Sequence, residues 1–256
     1  MRVVYVDVDG TLLGPDGSLL RDAEGAFCDA AIRALELLHR HDVPVVLVSG
    51  RGRGRLETTR RMLGADGVLA EMGAAESDYP REPGQSVYDA IAATGIPELL
   101  LAREPGLERH PAGLVDREGS HVLWGSASED AAVFVRELSR GALKLVDNGT
   151  LGPDGARVFH LLPADASKAD AVARDIAARG ADAAGCLAIG DSRQDLEMRR
   201  IVGAVAIVAN GARSDPEVRR DAEWITAAPH GAGVLEAVEA WLAGVAPPHQ
   251  ATAKAG

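Results

Sequence analysis

The chain has 256 residues, 46% of them hydrophobic and 25% charged, with 27 Lys and Arg against 38 Asp and Glu for a net charge of −11. This size and composition fit one large α/β unit, or a core with a smaller module, holding enough aliphatic mass for a sizeable interior. The acidic balance argues against nucleic acid as a partner, and Cys28 and Cys186, neither in a metal-ligand spacing, exclude a disulfide scaffold and cysteine-based zinc or iron–sulfur sites. The opening MRVVYVDVDG turns acidic too soon for a signal peptide, and no run approaches the ~18 apolar residues of a membrane helix, so a cytoplasmic protein with no membrane partner is expected.

In chain order, Val3–Val6 predicts a strand that ends abruptly in Asp7-Val8-Asp9-Gly10-Thr11, and Pro15-Asp16-Gly17 predicts a turn in a small flap or hairpin. Phe27, Ala31, Ala34, Leu35 and Leu38 recur at helical steps and predict a helix over Ala26–His39. A second strand, Val43–Val48, runs into Ser49-Gly50-Arg51, and Gly67–Ala70 predicts a third. From Glu82 to Pro153 the elements shorten, with strands at Leu99–Ala102, Val122–Trp124 and Leu143–Val146, helices near Val87–Ala93 and Glu129–Leu138, and Asp147-Asn148-Gly149 as a turn. Arg157–Leu162, Cys186–Ile189 and Gly203–Val208 predict further strands, and Lys168–Arg179, Asp195–Ile201 and Val234–Ala243 further helices. Strand, helix, strand with apolar runs lacking clean alternation predicts an α/β fold, a doubly wound, mostly parallel sheet with an inserted smaller α/β domain. The expected division is a discontinuous core, 1–81 and 154–246, an inserted domain, 82–153, and a disordered tail, 247–256.

Parallel strands deliver their carboxyl-end loops to one edge of the sheet, where open α/β folds place ligands. That edge collects Asp7, Asp9, Ser49, Arg51, Asp191 and Asp195. Carboxylates gathered so closely repel one another unless a cation neutralises them, and an all-oxygen set without His or Cys suits Mg²⁺. Ser49, Thr11 and the amides of glycine-containing turns are donors suited to phosphate oxygens. Lys168, at the start of its helix, opposes the macrodipole, as a lysine placed to contact an anion would. These parts together form a kit for phosphoryl transfer.

The same residues resemble the motifs of the haloacid dehalogenase superfamily in order: DVDGT at 7–11, Ser49 after an apolar strand, Lys168, and GDSRQD at 190–195. The long interval from Ser49 to Lys168 and the flanking VSGR resemble members with an α/β cap between the second and third motifs, including the Cof-type, sucrose-phosphate and mannosyl-3-phosphoglycerate phosphatases. The resemblance implies that Asp7 attacks phosphorus and becomes an aspartyl phosphate, while Asp9 protonates the leaving oxygen and then activates water. It implies Asp7, the backbone carbonyl of Asp9 and Asp191 as Mg²⁺ ligands, with Asp195 steadying the metal's surroundings or Lys168. Ser49 and Lys168 would bind the phosphoryl group, helped by Gly50 and Thr11, and Arg51 is a candidate substrate contact. The implied activity is a Mg²⁺-dependent phosphatase acting on a small phosphorylated metabolite, a sugar phosphate or phosphoglycerate-linked sugar, in a monomer or homodimer. A phosphosugar mutase and a catalytically weak phospho-ligand sensor are the alternatives.

The sequence departs from the family pattern at Gln194, where Asn is usual, and at Met72, where Glu-Asn-Gly-Ala is usual and Glu71-Met72-Gly73-Ala74 stands. In the insert, Arg103, Arg109, His110, Arg117 and His121 are candidates to face a sugar phosphate, although each singly reads as an ordinary surface residue. Gly50, Gly52 and Gly54 alternate with arginines, but the third glycine of a dinucleotide fingerprint would fall on Arg55.

Overall fold

The computed structural model describes residues 1–111, 115–150 and 156–245. The expected tail, 247–256, lies outside the described residues. Its elements run β1 (Val4–Asp7), α1 (Ala30–Arg40), β2 (Val45–Val48), α2 (Arg53–Leu63), β3 (Gly67–Leu69), α3 (Val87–Ala93), α4 (Ile96–Arg103), β4 (Leu107–Arg109), β5 (His121–Gly125), α5 (Ala131–Leu138), β6 (Leu143–Thr150) and β7 (Arg157–Pro163). They continue through α6 (Lys168–Arg179), β8 (Leu187–Gly190), α7 (Arg193–Leu196), β9 (Ala204–Ile207), α8 (Ala209–Ser214), α9 (Pro216–Asp221) and α10 (His230–Leu242). The chain divides into two compact units, Met1–Ser49, Arg60–Val68 and Val172–Gly256 in the first, Gly50–Thr59 and Leu69–Ala171 in the second.

The first unit is built on a five-stranded sheet ordered β3-β2-β1-β8-β9. β1 pairs parallel with both β2 and β8, and β8 pairs parallel with β9. The order grows outward from β1 in one direction and then resumes on its other side, the reversal that opens a ligand crevice at the strands' carboxyl ends. β1, β2 and β8 are buried at every position, which is why their apolar runs do not alternate. α1 buries Ala30, Ala31, Ala34 and Leu38 at three- and four-residue steps, with His39 and Arg40 complementing its carboxyl end.

Helix α1 starts four residues later than its apolar spacing predicts, and Phe27 is 77% exposed. The Asp22 carboxylate accepts from the amides of Glu24 and Ala26, and Arg21 bridges Phe27, so the flap that the Pro15-Asp16-Gly17 turn announces claims this backbone first. Tyr5, buried on β1, donates its hydroxyl to Asp175 at 2.9 Å, and burial beside that carboxylate drives its pKa upward.

The second unit holds a four-stranded antiparallel sheet ordered β4-β5-β7-β6. Its apolar cluster gathers Val87 and Ile91 from α3, Ile96 and Leu100 from α4, Val135 from α5 and Leu123, Leu143, Phe159 and Leu161 from the strands. Two sequence expectations change here. Leu99–Ala102 lies in α4 instead of a strand: Gly95 in the left-handed region and Pro97 in the first turn start a helix, and unbranched Leu and Ala propagate it. Arg157–Leu162 does form a strand, but it pairs with β5 and β6, so this segment belongs to the antiparallel sheet and not to the core where residues from 154 onward were expected. At Asp147-Asn148-Gly149 the ladder bulges, with Gly149 at φ 84 and its amide donating to the Asp147 carboxylate.

Candidate active site

In the first unit, strand register gathers the chemistry. Asp7 is the register partner of Val48, so Ser49 follows at the end of the neighbouring strand, and Val6 opposite Ile189 brings Asp191 to the other side. Asp7 is 5% exposed, Thr11 and Asp195 are fully buried, and Ser49 is buried as well. Oxygens of Asp7, Asp191 and Asp195 all lie within 4.8 Å of one another. Such an all-oxygen group, with Asp191 half-buried beside two buried carboxylates, has the donors to hold a hard divalent cation, whose charge would offset the repulsion.

The backbone makes this approach possible. Leu12 donates to the carbonyl of Asp7 and Leu13 to that of Val8, folding the loop tightly back on β1. Gly10 turns at φ +83, and a Cβ on it would overlap the Asp191 carboxylate. Gly10→Ala is therefore expected to weaken divalent-cation binding by roughly 10- to 100-fold, read by titration calorimetry; unchanged affinity would show that Asp191 is not held where the cation binds. The Gly10 carbonyl is itself pinned, accepting from Asn210 Nδ2 at 2.8 Å and paired with His230 Nδ1 at 3.0 Å, while the His230 amide donates to Asn210. Neither residue is marked in the sequence, since no local pattern reveals a partner 200 or 220 positions away.

Asp195 is committed to its own loop. Its Oδ2 accepts from the amides of Asp191 and Ser192 and, at 2.5 Å, from the Ser192 hydroxyl, closing a capping box at the start of α7. These bonds fix the Asp191 backbone. Asp9 is exposed, with its backbone bridged to Leu13. The Thr11 hydroxyl is buried with no protein hydrogen-bond partner, an arrangement that leaves its donor and acceptor for a ligand.

Gly50, Arg51 and Lys168 belong to the second unit. Arg51 extends along α2 to donate to the Thr59 hydroxyl at 3.2 Å, and its carbonyl accepts from the Glu71 amide. Lys168 opens α6 and is 4% exposed. Near it, His160 is buried, and desolvation, then the charges of Arg117, Lys168 and His110, push its pKa down to about 3, so the ring is neutral at any physiological pH. The alternating glycines are packing sites: a Cβ on Gly52 or Gly54 would run into Asp116, and one on Gly50 would stand 3.1 Å from His160 Nε2.

Glu71 organises this region. Fully buried, its carboxylate accepts from the amides of Glu118, Gly119 and Ser120 and from the Ser120 hydroxyl, with Arg117 Nη1 at 3.7 Å. Glu71, Met72 and Gly73 stand at φ 51, 55 and 77, three successive residues in the left-handed region. Met72 fills this turn by packing with Ala74, Leu162 and Ala166. Arg117 Nη1 donates to the carbonyl of Gly50 at 2.7 Å. Glu71 escapes a sequence reading because nothing local distinguishes a buried carboxylate from an exposed one.

Known proteins are similar to this chain in sequence and in fold. Residues 126–238 match the family model described as haloacid dehalogenase-like hydrolase. Over 248 residues the chain is 28% identical to a protein of Methanothermobacter thermautotrophicus named phosphoglycolate phosphatase, covering 94% of this chain and 99% of that one. A similarly named protein of Methanococcoides burtonii is 29% identical, over 93% and 96% of the two chains. A crystal structure of a Thermoplasma acidophilum protein shares the fold with a TM-score of 0.69 at 17% identity, over 94% and 98% of the chains. Sucrose-phosphatase from Synechocystis, solved with sucrose and phosphate, shares it with a TM-score of 0.65 at 16% identity, over 94% and 98%. The family match, the end-to-end relatives and the shared two-sheet architecture all make the chain similar to the haloacid dehalogenase-like hydrolases.

Proposed function

We propose that the protein is a Mg²⁺-dependent phosphatase that hydrolyses a small phosphorylated metabolite through an aspartyl phosphate on Asp7. The observation that carries this reading is the group of buried Asp7 and Asp195 with half-buried Asp191 at the carboxyl edge of the parallel sheet, with the unpartnered Thr11 hydroxyl in the loop that follows Asp7. The names of the relatives, phosphoglycolate phosphatase and sucrose-phosphatase, support the reaction class.

In the proposed reaction an Asp7 oxygen attacks phosphorus, the bond from phosphorus to the leaving oxygen breaks, and Asp9 gives that oxygen its proton. Asp9 then takes a proton from water, whose oxygen attacks phosphorus and releases Asp7. A bound Mg²⁺, held by Asp7, Asp191 and the Asp9 carbonyl, would supply charge neutralisation for the transferring group. Ser49, Thr11, Gly50 and Lys168 are the proposed phosphoryl donors, and Asp195 holds the Asp191 loop. The segment 82–153, together with β7 of the same antiparallel sheet, is proposed as the cap that chooses the leaving group. A sugar phosphate is the substrate class that the sequence favours, and phosphoglycolate is the one that the curated relatives' names favour.

The test is phosphate release from a panel of phosphorylated sugars, sugar alcohols and hydroxy acids, with Mg²⁺ and with EDTA. Metal-dependent release of inorganic phosphate is expected. An isomeric sugar phosphate in place of inorganic phosphate would establish a mutase, and binding without turnover a sensor.

A further inference from the structure

In the first unit His230 opens α10 at φ 49, in the left-handed region that residues bearing a Cβ rarely adopt. Such a conformation persists where its surroundings over-determine it, and it gathers at working sites. Here it aims two donors from one residue. The His230 amide donates to Asn210 Oδ1 at 2.9 Å, and the ring Nδ1 stands 3.0 Å from the carbonyl oxygen of Gly10. A carbonyl oxygen only accepts, so Nδ1 carries the proton. Asn210 closes the triangle, its Nδ2 donating to the same oxygen at 2.8 Å. Both lone pairs of the Gly10 carbonyl are thereby engaged.

The triangle is anchored on three sides. The Ala209 amide donates to the Ala228 carbonyl at 3.2 Å, joining the start of α8 to the segment that leads into α10. A Cβ on Gly231 would stand 2.7 Å from the Ala31 Cβ, so the start of α10 is pressed against α1. A Cβ on Gly211 would overlap the backbone of Asp191, so the residue after Asn210 lies directly on the other carboxylate loop. What the triangle holds is the peptide of the loop with the most freedom to turn over, because Gly10 has no Cβ to resist rotation. That peptide is trans, so its carbonyl and the Thr11 N–H point in opposite directions. Holding the carbonyl against α8 and α10 sends the Thr11 N–H the other way, and it fixes the approach of a residue whose buried hydroxyl has no protein partner. Turned over, the peptide would present an oxygen where it now presents a donor.

We infer that Asn210 and His230 are positioning residues for the reaction: they brace the Gly10–Thr11 peptide so that Thr11 offers its donors to the phosphoryl group, and they keep the Asp7–Thr11 loop in register with Asp191. The consequence for catalysis rests on the phosphatase reading, and the brace itself rests on geometry alone. Both residues act through the Gly10 carbonyl and not on the substrate. Loosening the brace misaligns the attacking Asp7 and the Thr11 donors together, so the loss falls on kcat.

The experiment compares His230→Gly with His230→Asn. Glycine and asparagine both tolerate left-handed backbone, but only asparagine keeps a donor where Nδ1 stands. On the best ester of the panel with Mg²⁺, His230→Gly is expected to lower kcat roughly 10- to 100-fold while KM stays within about threefold, and His230→Asn to recover at least about a third of the wild-type kcat. Asn210→Ala, which removes the other arm, should match His230→Gly, with melting curves to confirm that all three are folded. A folded His230→Gly with wild-type kcat, or a His230→Asn no better than His230→Gly, overturns the brace and leaves the phosphatase standing. Nitrogen-15 relaxation dispersion at the Gly10 and Thr11 amides reads the same peptide without turnover. Exchange on the microsecond-to-millisecond timescale is expected in His230→Gly and not in the wild type or His230→Asn. If no ester is hydrolysed, the phosphatase reading fails and dispersion decides: profiles alike in the wild type and His230→Gly overturn the brace.

Discussion

Replacing Asp7 with Asn is expected to reduce phosphate release by roughly four to six orders of magnitude, the range seen when an enzyme loses its nucleophile. The same substitution should leave the protein folded, and in EDTA more stable than the wild type. Asp7 is buried with oxygens of Asp191 and Asp195 inside the same 4.8 Å, and removing one of these charges relieves the repulsion among them. Mg²⁺ at 100 times its dissociation constant should stabilise the wild type by about 2.7 kcal/mol, which for a chain of this size raises Tm by roughly 5–10 °C. Asp7→Asn should lose most of that rise. Melting curves with and without Mg²⁺, run beside the phosphate assay, check all of this. A variant that keeps turnover, or one that gains as much from Mg²⁺ as the wild type, would remove Asp7 from the role proposed for it.

The largest stability effect is expected at Glu71. Glu71→Ala strands three amides, a hydroxyl and the Arg117 guanidinium in a buried place, and breaking a buried charge pair from one side typically costs about 3–5 kcal/mol. Loss of Tm by roughly 10 °C or more, or failure to accumulate as folded protein, is the expected outcome. Glu71→Gln, which keeps the shape and one acceptor oxygen, should lie between it and the wild type. Urea titration of the two variants separates these cases, and an alanine variant as stable as the wild type would mean that the 118–120 segment has other support.

Much of the architecture is legible in the sequence because parallel strands buried on both faces leave uninterrupted apolar runs, and the polar residues that end them fall at the sheet's carboxyl edge. Asp7, Ser49 and Asp191 are brought there by register alone. What escapes is decided at long range. Leu99–Ala102 offers the same residues to a strand or a helix, and Gly95 with Pro97 settles the matter locally. Arg157–Leu162 reads as a strand correctly, yet no single strand declares which sheet it joins. Asn210, His230, Glu71 and His160 act through partners far away in the chain, and a lone polar residue carries no mark of such a partner. The alternating glycines at 50, 52 and 54 are visible as a pattern, but their meaning, room for His160 and Asp116, exists only in three dimensions.

The buried carboxylate of Glu71 also sets an order of events during synthesis. Its backbone partners lie 47, 48 and 49 positions further along the chain. At about 5–20 residues per second, the ribosome needs several seconds to supply them. Until then Glu71, Met72 and Gly73 have no reason to adopt left-handed backbone, which disfavours a non-glycine residue by about 1–2 kcal/mol. The nascent chain therefore carries an open joint just after β3. That joint closes only when the 118–120 segment emerges, so a nascent chain arrested before residue 118 should be cut by protease at this joint, and one arrested beyond residue 171, with the whole second unit made, should be protected there.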